Sequence, residues 1–279
     1  MNEKTDEKTG AAYMQQLNIA FIGGGNMAEA LIAGLRAAGH AGEHISVSDL
    51  DQSRRDYLSE KYAVACVQQN VDVVVNADVL ILAVKPQQMQ AALMGLMEHL
   101  KPDATVISIA AGVSTASLHG WLGAAAHIVR VMPNTPALLG AGMAALFSDA
   151  DEMHKLRTEY VLEACGECLR VEQESMMHAV TAVSGSGPAY LFLMAEVMQA
   201  TGEKLGLSAE VAAKLATQTV FGAGKMLVES GRSAEALRHQ VTSPGGTTQA
   251  AIDVMYDSGV PGGIRKAVVA ASKRSQELS

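Results

Sequence analysis

The chain has 279 residues, 49% hydrophobic and 18% charged, enough for an ordinary nucleotide-binding domain plus a smaller second one and too apolar for wholesale disorder. A formal net charge of −8 leaves no basic surplus for a phosphate backbone or an anionic bilayer, so neither nucleic acid nor membrane is an expected partner. The opening MNEKTDEKTG has no apolar core of a signal peptide, and no later run is long and glycine-free enough to span a bilayer, so a cytoplasmic protein is expected.

Residues 1–16 lack apolar periodicity and are expected to be a disordered extension. From residue 17 short apolar runs alternate with amphipathic stretches. Strands are predicted at Asn18–Ile22, Ile45–Ser48, Ala63–Cys66, Val79–Val84, Thr105–Ile109 and Ile128–Met132. Helices are predicted between them at Met27–Ala38, Ser53–Tyr62, Val71–Ala77, Gln87–Leu100 and Thr115–Leu122. Such alternation is the pattern of an α/β fold: a Rossmann-type, doubly wound, mainly parallel sheet covered on both faces. A strand at Gly142–Phe147, a helix near Asp151–Glu163 and a strand around Glu167–Val171 would extend it, giving a dinucleotide-binding domain over 17–173.

From residue 174 to 279 Ala, Met and Leu recur at helical spacing, with breaks at Ser184–Pro188, Thr242–Thr248 and Gly259–Gly263, so an all-helical C-terminal domain is expected. Ala189–Ala200 and Val211–Val228 are apolar on several faces. One helix layer cannot cover that surface, and an intertwined homodimer would, although burial within one chain is the alternative. With no long linker between them, the halves are expected to share a cleft.

Cysteine and histidine carry less. Cys66, Cys165 and Cys168 are too few for a disulfide framework and fit a reducing compartment. Cys165-x-x-Cys168 lacks the second ligand pair that such metal sites use, so small buried thiols, and no metal, are expected. His40 and His44 flank Gly42 in a connection and read as surface imidazoles.

The chemistry begins at Gly23-Gly24-Gly25-Asn26-Met27-Ala28, a G-x-G-x-x-A pattern between the first strand and the first helix. There Gly23 permits the turn, Gly25 lets a pyrophosphate approach the backbone, Ala28 allows close helix–strand packing, and the helix start offers free N–H groups to the anion. Ser48-Asp49 ends the second strand, where a carboxylate would bind the ribose 2′-hydroxyl of NAD, whereas Arg54 and Arg55 could instead grip a 2′-phosphate. Both nucleotides stay open on these residues. Asn70, before a short helix, is a candidate N-cap.

From Asn18 to Leu278 the chain resembles the pyrroline-5-carboxylate reductase family. The resemblance is carried by Ala83-Val84-Lys85-Pro86 and Ala110-Ala111-Gly112, similar to that family's cofactor-lining loops, and by Val131-Met132-Pro133-Asn134-Thr135-Pro136, similar to the loop beside the nicotinamide. Its most specific parts are Thr181-Ala182-Val183-Ser184-Gly185-Ser186-Gly187-Pro188-Ala189-Tyr190 and Val241-Thr242-Ser243-Pro244-Gly245-Gly246-Thr247-Thr248. The resemblance implies hydride transfer from NADPH, with NADH possible, to 1-pyrroline-5-carboxylate, giving L-proline, in a homodimer or a higher homo-oligomer of dimers. It also implies cofactor contacts from Asn70, Asn134 and Glu174.

Ser243-Pro244-Gly245-Gly246-Thr247-Thr248 reads as a helix start, with Ser243 as cap and Pro244 in the first turn. Its open N–H groups suit the one carboxylate of a proline-like substrate. A plain glycine-rich turn would explain the glycines but not the dense hydroxyls. By resemblance Thr248 is the catalytic residue, hydrogen-bonding the ring nitrogen; its hydroxyl is too weak an acid to act alone, so its first role is orientation. The second enzyme reading is a β-hydroxyacid dehydrogenase, in which a catalytic lysine precedes an asparagine by one helical turn. Lys225 is the nearest match, but Glu229 stands in the asparagine's place. A non-enzymatic nucleotide sensor would not need Thr242–Thr248.

Overall fold

The computed structural model describes residues 12–279. The expected extension lies outside the described residues as far as residue 11. Residues 12–14 are helical, Met14 packs on the core, and the Tyr13 hydroxyl accepts a 2.5 Å bond from Arg157, so 12–16 belong to the fold rather than to a tail.

Two compact units are present. Among the described residues one comprises the chain from residue 12 through Gly185 together with Ser272–Ser279, and the other is Ser186–Ala271. The division therefore falls inside the helical run that starts at Glu174.

The first unit is built on one sheet of eight strands, β1 (Ile19–Ile22), β2 (Ile45–Ser48), β3 (Ala65–Val67), β4 (Val79–Leu82), β5 (Thr105–Ser108), β6 (His127–Met132), β7 (Gly142–Phe147) and β8 (Gly166–Arg170), in the order β3-β2-β1-β4-β5-β6-β7-β8. The first six run parallel; β7 is antiparallel to β6, and β8 parallel to β7. Helices α1 (Asn26–Ala37), α2 (Gln52–Tyr62), α3 (Asn70–Val74), α4 (Pro86–Leu93), α5 (Thr115–Leu122) and α6 (Glu152–Glu163) connect them, in a Rossmann-type doubly wound arrangement. All residues of β1, β4 and β5 are buried; β1 and β4 are continuous apolar runs, as strands covered on both faces commonly are. Phe21, Leu31 and Ile81 belong to one core, and Leu80, Leu82 and Met89 to another. Strand order reverses between β1 and β4, so the ligand crevice of this topology lies beyond Ile22 and Leu82.

Several boundaries differ from expectation for local reasons. Ala63 is no strand residue but the left-handed cap of α2, with φ +53°. Helix α4 stops at Leu93 because Met94 is extended, and only a 3-10 turn, Met97–His99, follows. His40 is fully buried rather than a surface imidazole, with its ring nitrogens 2.9 Å from the Tyr160 hydroxyl and 3.1 Å from the Leu17 carbonyl. Burial pushes its pKa down.

A second buried imidazole lies at the opposite end of the strands from the crevice. His154 of α6 stacks on His127 with ring centres 3.9 Å apart, and its Nδ1 lies 2.8 Å from the Thr105 hydroxyl. Burial, then the neighbouring His127 and Arg157 charges, push its pKa down to about 4.

After α7 (Met177–Val180) a π-helical turn, Thr181–Gly185, runs on into α8 (Gly187–Lys204), where the sequence suggested a break. The second unit adds α9 (Ala209–Glu229), α10 (Ala234–Gln240), α11 (Thr247–Asp257) and α12 (Val260–Glu277), the last of which ends in the first unit. Gly262 and Gly263 lie inside α12; the chain breaks only at Gly259, with φ +74°. Helices α8 and α11 contain no buried residue, and Phe192 and Phe221 stand 66% and 62% exposed.

Candidate functional site

The cradle at the end of β1 is dictated by its glycines. Gly23 has φ +94°, and a Cβ there would come 2.9 Å from both the Ala83 carbonyl oxygen and Val84 Cγ1, so the turn passes under the Ala83–Val84 loop only without a side chain. Around Gly25 nothing lies within 4 Å of a Cβ position. Gly25 caps α1 without a side-chain bond, leaving first-turn N–H groups of Asn26 and Met27 open beside free space, while Ala28 is fully buried. Tight packing under the turn with open space above is the arrangement a pyrophosphate group fits.

Asp49 closes this turn from β2. One carboxylate oxygen accepts the Gly24 N–H at 2.7 Å and the other accepts the Asp51 N–H at 2.9 Å. Arg54 donates to the Gly24 and Gly25 carbonyls and to Glu29 at 2.6 Å. Arg55 is buried, turned inward onto the Asp49 carbonyl at 2.6 Å.

Glu29 was not singled out by sequence, yet it organises this edge. Burial raises its pKa, but bonds from Lys61, Tyr57, Arg54 and Tyr62 outweigh that and hold it at about 2. Its one visible sign is an acidic residue in the first turn of the fingerprint helix, where the dipole favours it.

Ser48 is fully buried and donates to Asn70 Oδ1 at 2.9 Å, while Asn70 Nδ2 donates to the Ala92 carbonyl at 3.0 Å. Asn70 is therefore the first residue of α3, after a Gln69 cap, rather than the N-cap itself. Its side chain braces β2 against the end of α4. Lys85 caps α4 and Pro86 takes the first helical position, where the missing N–H costs nothing. After β5, Ala110 is buried, Ala111 exposed, and Gly112 buried with φ +78°.

Asn134 and Glu174 are engaged by protein. Asn134 accepts the Met143 N–H at 2.9 Å and donates to the Ser184 carbonyl at 3.2 Å. Glu174 accepts from the Thr115 N–H and hydroxyl at 2.8 and 2.7 Å and pairs with buried Arg130 at 2.8 Å. Burial raises its pKa, and these bonds lower it by more. Arg130 could have been found: a lone arginine in an apolar buried strand requires a partner.

In the second unit Ser243–Gly246 form a turn closed by a 3.0 Å bond from the Gly246 N–H to the Ser243 carbonyl, with Gly245 at φ +71°. Gly246, not Ser243, is the cap, and Pro244 precedes the helix instead of lying in its first turn. The helix opens with Thr247 and Thr248 and no side-chain cap, so its first N–H groups remain available to an anion. Lys225 pairs with Glu229 at 3.6 Å, both exposed, as surface residues. Cys165 is buried and Cys168 half-buried; burial pushes each thiol up to about 11. Among the described residues no three His, Cys, Asp or Glu side chains cluster as metal ligands, and no helix is long and apolar enough to cross a membrane.

Two family models match. Residues 174–278 match pyrroline-5-carboxylate reductase dimerisation, and 18–112 match NADP oxidoreductase, coenzyme F420-dependent. A pyrroline-5-carboxylate reductase of Pseudomonas aeruginosa is 45% identical over 95% of this chain and 98% of its own. Among solved structures, a pyrroline-5-carboxylate reductase of Coxiella burnetii superposes with a TM-score of 0.90 at 42% identity, covering 95% of this chain and 99% of that one. The Plasmodium falciparum pyrroline carboxylate reductase with NADP bound gives 0.84 at 27% identity, covering 95% and 98%. The chain belongs to the pyrroline-5-carboxylate reductase family.

Proposed function

We infer that the protein is an NAD(P)H-dependent oxidoreductase that reduces the C=N bond of 1-pyrroline-5-carboxylate to L-proline, the last step of proline biosynthesis. The observation that carries the reading is the cradle at Gly23–Ala28, closed beneath and open above, in a chain whose relatives share this activity by name over nearly its whole length.

When bound, a dihydronicotinamide would supply the hydride for C5 of the imine, and the ring nitrogen would take its proton from solvent water. The protein aligns the reactants and stabilises the nitrogen. The Thr248 hydroxyl hydrogen-bonds that nitrogen, while the open N–H groups at the start of α11, with Ser243, Gly245, Gly246 and Thr247 shaping the turn, hold the substrate carboxylate. The N–H groups of Asn26 and Met27 would hold the pyrophosphate, with Ala28 packed beneath the turn, and Ala83–Pro86 and Ala110–Gly112 would line the cofactor.

Asn70, Asn134 and Glu174 act on the cofactor through backbone they fix, since their side chains are engaged elsewhere. NADPH is the proposed donor: both oxygens of Asp49 accept backbone N–H groups, and the Arg54 guanidinium, paired with Glu29, places a cation at the rim of the fingerprint turn. The exposed apolar helices of the second unit are covered by a second copy, at least a homodimer.

Steady-state assays of pyrroline-5-carboxylate with NADPH and NADH side by side test the reading. Turnover with a lower KM for NADPH is expected; no oxidation of either nucleotide would overturn the function, and a lower KM for NADH would overturn the role given to Arg54.

A further inference from the structure

The loop after β5 is covered by a distant stretch of chain. Gly112, buried and at φ +78°, packs backbone to backbone against Leu278: a Cβ on the glycine would come 2.7 Å from the Leu278 carbonyl oxygen and 3.1 Å from its carbonyl carbon. The covering segment is itself anchored. Ser275 is 5% exposed, its hydroxyl lies 3.1 Å from His178 Nδ1, and the Ser279 hydroxyl donates to the Ser275 carbonyl at 3.1 Å. Next to His178 on α7, Met177 is buried against Ala145 and Phe147 of β7, so the anchor reaches the sheet. At its far end the loop is fixed by Glu174 on Thr115.

We propose that Ser275–Leu278 is a clasp that positions the Ala110–Gly112 loop and thereby sets affinity for the nicotinamide cofactor; this rests on the reading of that loop as cofactor-lining. A glycine at positive φ has many alternative conformations when uncovered. Binding then requires the loop to be ordered first, and the apparent affinity falls by the fraction of molecules that hold the competent form. Ser275 and Leu278 are thus positioning residues, acting through the loop.

The test is NADPH titration by calorimetry, with steady-state kinetics and melting, on the full chain, on a chain ending at Glu277, and on Ser275→Ala. Shortening should raise Kd and KM for NADPH about tenfold, with kcat at saturation within about twofold; Ser275→Ala should raise them about threefold. Gly112→Ala in both backgrounds adds a cycle: its penalty should be larger in the full chain, where the Leu278 carbonyl opposes the new methyl group, than in the shortened one.

Unchanged Kd in the shortened chain, even with a lower melting temperature, would overturn the clasp. Should the shortened chain fail to fold, unchanged Kd in a folded Ser275→Ala protein would do so alone. Failure of the full chain to bind either nucleotide would overturn the reading of the cofactor site, and the clasp with it.

Discussion

The two units bury their apolar residues to very different extents. In the first, Phe21, Ile81 and Leu82 are fully enclosed in a sheet covered on both faces. In the second, only Ala212, Ala216 and Leu237 are buried hydrophobics, while Leu205 and Val228 are 82% exposed. A sheet between helices completes its own core; a layer of apolar helices needs a partner. Each unit's stability therefore has a different origin.

The strongest challenge to that contrast is Phe21→Ala, which should cost about 3–5 kcal/mol through the cavity it leaves, with the same loss in melting at every protein concentration. Phe221→Glu should instead act through association, giving a monomer by light scattering and a concentration-dependent wild-type melt that the variant lacks. A concentration-independent wild-type melt, or a dimeric Phe221→Glu protein, would remove the distinction.

On the proposed function, chemistry divides along the same line, the second unit supplying the Thr248 hydroxyl and the first the Gly23–Ala28 cradle. Thr248→Val should lower kcat/KM about ten- to a thousandfold, equivalent to roughly 1.4–4 kcal/mol, with little change in cofactor affinity. Thr248→Ser should recover most of it. Full activity in a folded valine variant would leave the α11 N–H groups as the segment's only role.

The first unit should also be the acid-sensitive one. The His154 pKa of about 4 lies below the ordinary 6.5, so the fold favours the neutral ring. That stability is complete above pH 6.5 and is lost as the pH falls from 6.5 to 4, by about 2 kcal/mol once solvent screening is allowed for. The shift at His40 adds in the same direction, so the measurement is the difference between wild type and His154→Asn in melts at pH 7, 5 and 4. Glu29, held at about 2, contributes in a separate window, from 4.5 down to 2. Parallel melting curves for the two proteins would refute the assignment to His154.

The smallest effect on folding is expected at Gly25→Val. Because nothing lies within 4 Å of its Cβ position and only a cap preference is lost, the free protein should melt within about 4 °C of wild type, whereas nucleotide affinity should fall at least about tenfold, or 1.4 kcal/mol. Unchanged affinity by calorimetry would reduce the motif to a turn.

Much of this was legible beforehand, for identifiable reasons. Ile19–Ile22 and Val79–Leu82 are short apolar runs set off by turn glycines or helix breakers, and the fingerprint marks which strand comes first. The Ser243–Thr248 segment announced a polar turn, but its cap lay three residues later than read, because Gly245 at positive φ closes a further turn before the helix.

What stayed hidden depends on partners distant in sequence. Nothing near Glu174 reveals that Arg130 and Thr115 occupy its carboxylate, and nothing near His40 points to Tyr160. The glycines of Gly259–Gly263 read as a break, yet a helix carries two of them when its other residues favour it.

The path of α12 also dictates an order of events during synthesis. Chains fold from the N-terminus as they emerge, and the eight-stranded sheet is finished at Arg170, long before Ser272–Ser279 exist. The nucleotide-binding unit must therefore wait, sheet complete but the face over Gly112 open, while all of Ser186–Ala271 is translated. The end of α12, where Leu278 covers Gly112, is thus made after α8, α9 and α11, which carry exposed apolar residues.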